Sequence, residues 1–147
     1  MTAGNQSAVN ALIDALNDDL SHEYQAVIAY NTYAATVSGM NRLELKGFFD
    51  SEVPDELRHA QYLANKIAAL GGTPTTMPAE VATASDPRAM LEQALKHERE
   101  TIPRYVDRMK QAESIGDWGL ANDLQGIISD ETSHKEELEK LLRRTSD

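Results

Sequence analysis

Cysteine is absent from the 147 residues. That excludes disulfides, thiolate metal sites, iron–sulfur clusters and cysteine nucleophiles. Aromatic residues are scarce at 5%, and Gly and Pro number only 8 and 5, so little of the chain is suited to turns. No run approaches the ~20 apolar residues that a membrane-spanning helix needs. The opening Met1-Thr2-Ala3-Gly4-Asn5-Gln6 lacks the basic and apolar regions of a signal peptide, so a cytoplasmic location is expected. Basic residues are outnumbered 24 to 14, and a net charge of −10 argues against nucleic-acid binding, which needs a basic face.

What remains is a chain of one-domain size, read as a single domain over residues 1–147, with an ordinary 41% hydrophobic content. The few helix breakers divide it cleanly. Gly39, Gly71-Gly72 and Gly116 separate four runs, at about 7–38, 41–70, 87–115 and 117–144. Asp86-Pro87 forms an N-cap and first-turn pair for the third run, and Asp117 caps the fourth. Each run carries an apolar stripe at helical spacing: Leu12, Leu16, Leu20, Val27 and Tyr30; Leu45, Phe49, Val53, Leu63, Ile67 and Leu70; Leu91, Leu95, Ile102, Tyr105 and Met109; Leu120, Leu124, Ile127, Leu138 and Leu141. The expected fold is all-α, a four-helix bundle. Short connections make helices 1 and 2, and helices 3 and 4, antiparallel hairpins. About 15 residues between the hairpins could span ~50 Å, against ~42 Å for a 28-residue helix, so a crossover along the bundle is expected.

Charges interrupt every stripe near its middle. Glu23 is in phase with Leu16 and Leu20, Glu56 lies between Phe49 and Leu63 with His59 one turn on, Glu98 lies between Leu91 and Tyr105, and Glu131 and His134 lie between Ile127 and Leu138. One buried carboxylate costs several kcal/mol or must be protonated, and four in one layer need something strongly cationic between them. The spacing is periodic as well. Glu23 to Glu56 and Glu98 to Glu131 are both 33 residues, and a shift of 75 maps Glu23, Tyr30, Asp55, Glu56 and His59 onto Glu98, Tyr105, Asp130, Glu131 and His134. The chain is thus an internal repeat of one helical hairpin. Positions i and i+3 share a helix face, so each Glu-x-x-His can offer a carboxylate and an imidazole to one ion. Four Glu charges balance two divalent ions, and mixed carboxylate–imidazole ligation suits Fe or Mn better than Ca or Mg.

With Glu23, Asp55-Glu56-Leu57-Arg58-His59, Glu98 and Asp130-Glu131-Thr132-Ser133-His134, the sequence resembles the ferritin-like superfamily, in its bacterioferritin-like branch, over about Ser7 to Leu142. The resemblance implies two Fe ions per chain and a ferroxidase that oxidises Fe(II) with O2 or peroxide, in iron handling or oxidative-stress defence. It makes Glu56 and Glu131 the bridging carboxylates and Glu23 and Glu98 the terminal ones. It has Asp55 and Asp130 orient the histidines of the opposite hairpin and Tyr30 and Tyr105 stand beside the site. Haem-binding relatives carry Met after the bridging Glu of helix 2, where this chain has Leu57, so no haem is expected. The short segment after His134 and the crossover without a helix point away from a storage cage and toward a homodimer. The lack of cysteine excludes a rubrerythrin tail.

Other residues have competing readings. Glu52, one turn before Glu56, is either an accessory iron site or a rim carboxylate. His22 and His97, out of phase with the stripe, read as surface imidazoles. Pro54 and Pro103 lie inside helices, where each removes a backbone donor. A manganese-catalase-like enzyme could use the same ligands, and a non-enzymatic bundle with a polar register layer is the alternative of a different class.

Overall fold

In the computed structural model, residues 3–143 are described, and they form α1 (Ala3–Thr36), α2 (Arg42–Ala69), α3 (Pro87–Ser114) and α4 (Trp118–Leu142). The sequence places α1 later, at about residue 7; the helix takes in four further residues because nothing before Ser7 breaks it. The expected end of α4 at residue 144 lies outside the described residues. Asp86 and Asp117 cap as the sequence predicts, accepting from Ala89 N and Leu120 N, each at 3.0 Å. At the end of α2, Gly71 takes a φ of 90°, and the N–H of Gly72 reaches back to Ile67 O at 2.9 Å. This left-handed C-terminal turn is open to glycine at little steric cost. Gly72 then packs so closely that a Cβ there would lie 2.6 Å from Ile13 Cγ2. Pro54 and Pro103 stay within continuous helices, with their rings on the exposed side.

Helix α1 packs on α2, α3 on α4, and the two hairpins meet with α1 against α3. The connection 70–86 runs along α1 as a strap. Asn17 donates to Thr73 O at 3.1 Å and accepts from Thr75 N at 2.8 Å; Ala79 N donates to Ser21 O at 2.9 Å; the Gln25 amide donates to Glu80 O; and Tyr33 OH donates to Ala82 O at 2.9 Å. Positions 17, 21, 25 and 33 lie along one i, i+4 row that winds around α1, so the crossover follows that helix for about 24 Å at 1.5 Å per residue. It takes these bonds without a helix of its own. Among the described residues no helix is long and apolar enough to cross a membrane.

The core is divided. Leu12, Leu16, Leu20, Leu63, Ile67, Leu120 and Leu124 fill one half, while Tyr30, Tyr33, Phe49, Met90, Leu91, Leu95 and Leu138 fill the other. Each fully buried Leu contributes about 1.5–3 kcal/mol. The stripes are followed closely, with Val27, Val53, Ile102 and Met109 only half-buried and Leu141 exposed.

A buried ion pair joins the hairpins near the centre, and the apolar stripes gave no sign of it. Arg108 Nε donates to Asp19 Oδ2 at 2.6 Å, its Nη2 to Asp19 Oδ1 at 3.1 Å, and its Nη1 to Gln111 Oε1 at 2.6 Å. The forked geometry satisfies both carboxylate oxygens. Removing one partner strands the other in the core, which costs about 3–5 kcal/mol. Asp19→Ala should therefore lower the unfolding free energy by about that much in chemical denaturation with chelator present. Asp19→Ala combined with Arg108→Met should recover most of the loss; a double variant as unstable as the single one would contradict this account.

Candidate metal centre

Between the two half-cores lies a layer of buried acids. Glu23, Glu52, Glu56, Glu98 and Glu131 are buried, as is His59, while His134 is slightly more open. Helical phase explains the convergence. Residues 19, 23, 26 and 30 of α1, 52, 56 and 59 of α2, 98, 101 and 105 of α3, and 127, 131 and 134 of α4 each advance by three or four, so all face the bundle axis.

Two ligand groups share this layer. Glu23, Glu56, His59 and Glu131 each bring one donor atom within 4.8 Å of the others, and Glu52, Glu56, Glu98 and His134 do the same. Glu56 belongs to both groups. His59 Nδ1 lies 3.1 Å from Glu131 Oε1 and 3.8 Å from oxygens of Glu23 and Glu56. His134 Nδ1 lies 3.0 Å from Glu52 Oε2 and 3.4 Å from Glu56 Oε1. The outward nitrogens are tied across the hairpins: His59 Nε2 to Asp130 Oδ2 and His134 Nε2 to Asp55 Oδ2, both at 3.2 Å. Such bonds fix ring orientation and leave Nδ1 facing the acids. Tyr105 OH donates to Glu23 Oε1 at 2.5 Å, and Tyr30 OH donates to Glu98 Oε1 at 3.4 Å.

A metal fit can be tested on hydrogen bonding. Buried polar atoms are nearly always paired. Here Glu23 Oε2, Glu52 Oε2, Glu98 Oε2, both oxygens of Glu56 and of Glu131, and Nδ1 of His59 and of His134 have no hydrogen-bond partner. Apart from Arg104 Nε, the orphaned side-chain atoms among the described residues are those that converge, and they are carboxylate oxygens and imidazole nitrogens, the donor set for first-row divalent ions. Two divalent cations would satisfy them; a neutral bundle would leave them stranded.

Two placements differ from the sequence expectation, those of His97 and His22, and a third bears on the two readings of Glu52. Glu52 is not at a rim: it is 6% exposed and points at His134, adding a fifth carboxylate. His97 is not a surface imidazole. It is half-buried, packs edge-on against Tyr30 at 6.2 Å, and groups with Glu98 and Glu131. His22 is also half-buried, with Nδ1 on Asp18 O at 2.8 Å. The repeat held a signal for the missed Asp19–Arg108 pair. Under the 75-residue shift these inner-face positions fall on Ala94 and Tyr33, so a complementary charge pair stands where the other half has none.

Without metal the electrostatics are those of crowded acids. Burial raises Glu23 and Glu131 well above 4.5, reinforced by Glu56 and Glu98 respectively. Burial also raises Glu98, against the pull of Glu131 and His134. For His59 burial acts downward, but Glu131, Glu56 and Glu23 outweigh it and push the imidazole up to about 12. His134 is raised in the same manner, with Glu52 the strongest of the acids opposing its burial. His97 goes the other way, lowered to about 3 by burial and then by Arg104.

The chain matches the ferritin-like domain family over residues 13–147. It is 51% identical to a ferritin-like, diiron-carboxylate protein of Bacillus anthracis str. Ames, covering 97% of this chain and 100% of that one with a TM-score of 0.92. It is 31% identical to the bacterioferritin of Desulfovibrio desulfuricans, over 90% of this chain and 75% of the relative. A dodecameric thioferritin from Bacteroides fragilis, a bacterioferritin-related protein, aligns at 29% identity and a TM-score of 0.82, covering 91% of this chain and 85% of that one.

The protonation pattern gives a pH test. A histidine raised to about 12 stabilises the fold fully below its unfolded value near 6.5, and that stability is lost as pH rises toward 12. The raised carboxyls also favour the protonated fold, whereas the gain from His97 is complete by about 6.5. Metal-free protein should therefore lose melting temperature above that pH. Loading with Co(II) should reverse the trend, because ligation needs the deprotonated groups and releases about two or more protons per chain at neutral pH. Calorimetry in buffers of different ionisation enthalpy counts those protons. Parallel pH trends, or no proton release, would contradict the ligand set.

Proposed function

Because this chain belongs to the ferritin-like family, we propose that its buried acidic layer is a di-iron centre that binds two Fe(II) and oxidises them with O2 or hydrogen peroxide, in iron handling or peroxide defence in the cytoplasm. The observation that carries the reading is the set of orphaned, converging oxygens and Nδ1 atoms on five glutamates and two histidines. One Fe(II) would be held by Glu23, Glu56, His59 and Glu131, the other by Glu52, Glu56, Glu98 and His134. Glu56 belongs to both groups, and Glu131 Oε1 is 3.1 Å from His59 Nδ1 and 3.7 Å from His134 Nδ1, so these two carboxylates would be shared between the ions. Iron supplies the one-electron chemistry: two Fe(II) give up two electrons, and hydrogen peroxide with two protons becomes two waters.

The protein's own groups hold the geometry and the protons. Asp130 and Asp55 orient the two imidazoles. Tyr105 OH donates to Glu23, and Tyr30 OH points at Glu98, so each terminal carboxylate has one oxygen occupied and one free for metal. Glu52, 3.0 Å from His134 Nδ1, would add a fifth carboxylate to the set that holds the pair. Manganese fits the same donors, and loading with each metal separates the two chemistries. The smallest symmetric assembly, a homodimer, is proposed for the particle; light scattering reads it directly, with a dodecamer like that of the Bacteroides relative as the opposing outcome.

Stopped-flow mixing should show rapid oxidation of about two Fe(II) per chain. Glu56→Ala or Glu131→Ala should slow that phase by about 100-fold or more, since even outer partners of metal ligands are worth 10–100-fold. Circular dichroism should stay helical in both. A fast phase surviving in either variant would end this assignment.

A further inference from the structure

The repeat makes the two metal positions alike in ligands, but the space around them is not alike. Beside Glu98, between α1, α3 and the strap, lies a cavity of about 250 Å³. Its floor is Ala26, Tyr30, Tyr33 and Ala94, all buried, and His97 lines it as well. Tyr30 is one side chain thick between cavity and centre: its ring faces the cavity and its hydroxyl reaches Glu98 Oε1 at 3.4 Å. Exposed Glu80, Lys96 and Glu100 stand at the mouth.

Around the other position the same space is taken. The 75-residue shift carries Ala26, Ala29 and Tyr33 onto Thr101, Arg104 and Arg108, and carries Asp19 onto Ala94. There Arg108 grips Asp19 through two hydrogen bonds, and Arg104 Nη2 donates to Thr101 Oγ1 at 3.0 Å. Tyr105 closes on Glu23 at 2.5 Å, against 3.4 Å for its counterpart Tyr30 on Glu98. One half is plugged by a buried ion pair; the other has alanines where the plug would be.

We propose that this cavity is the port through which a small uncharged O–O molecule, dioxygen or hydrogen peroxide, reaches the metal position of Glu52, Glu98 and His134, while the corresponding approach to Glu23 between α1 and α3 is filled by Asp19 and Arg108. The inference rests on the di-iron reading above. The lining selects the class of ligand. The outer part carries Gln25, Glu80, Gln93, Lys96 and Glu100, but at the inner end alanine methyls and tyrosine rings offer a hydrated cation no replacement for its water, and desolvating an ion against them is expensive. Dioxygen and peroxide carry no net charge, and the tyrosine hydroxyl oxygens, whose hydrogens go to Ala82 O and Glu98, can accept from peroxide. Cations have a more suitable approach on the α2–α4 face, where Asp123 and Asp130 border a depression that reaches His59.

The port can be closed by side chains on its own wall. Ala94→Phe fills it from α3, and Ala29→Phe fills it from the half-buried lip of α1 should the first variant fold poorly. The probe is nitric oxide, a neutral diatomic of dioxygen's size, mixed anaerobically with Fe(II)-loaded protein; its binding is read as a new visible absorption. The association rate should fall about tenfold or more in the filled variants, with Fe(II) per chain and helicity unchanged. A smaller fall in folded, loaded variants would overturn the port. If the parent chain binds no Fe(II), the di-iron reading falls and the port with it, so the two failures are distinct. The same variants mixed with O2 and with hydrogen peroxide in turn identify the natural ligand as whichever oxidation slows in parallel with nitric oxide binding.

Discussion

Repulsion among the mid-bundle carboxylates is the constraint to which the rest of this structure answers. Glu23, Glu52, Glu56, Glu98 and Glu131 occupy one layer between two apolar half-cores. Two histidines drawn to the cationic form supply part of the compensation when metal is absent, since His59 is pushed up to about 12 by its acidic neighbours. That compensation is incomplete, because neither Nδ1 makes a hydrogen bond. The apolar ends must therefore hold the helices in register against a layer that resists assembly by itself. The paired leucines of the two hairpins, and the strap hydrogen-bonded along α1, do this from outside the layer.

The ends and the layer are coupled through groups that cross between hairpins. His59 binds Asp130, His134 binds Asp55, and Tyr62 OH donates to Asp123 at 2.7 Å. On the opposite face Asp19 and Arg108, and Tyr105 and Glu23, make the same crossing. Each of these contacts joins one hairpin to the other, so the centre is completed only when the halves dock. Folding and ligand geometry are thus one event. An imidazole whose Nε2 is fixed by the opposite hairpin cannot turn away from the acids without loosening the interface.

Most of this was legible in the sequence because the site obeys the same period as the core. The four helices follow from Gly39, Gly71, Gly116 and Asp86-Pro87, and the convergence of Glu23, Glu56, His59, Glu98, Glu131 and His134 follows from their phase with the leucine stripes. What escaped was tertiary in origin. Glu52 is in phase with Phe49 and Glu56, but its repeat mate is the apolar Ile127, so the symmetry that identified the other ligands pointed away from it. His97 is out of phase by one position and is half-covered only because Tyr30 lies across it from α1. Asp19 and Arg108 sit on inner faces but 89 residues apart, and only docking of the hairpins shows that each is the other's counter-ion.

These exceptions have a direction in common. Duplicating a hairpin yields two equal half-sites, and every departure here from the repeat makes them unequal. Asp19 and Arg108 add bulk and charge on the Glu23 side, whereas Ala94 and Tyr33 leave space on the Glu98 side. Glu52 adds a negative charge beside His134, whereas Ile127 adds none beside His59. The symmetric residues can hold two ions; the asymmetric ones distinguish between them.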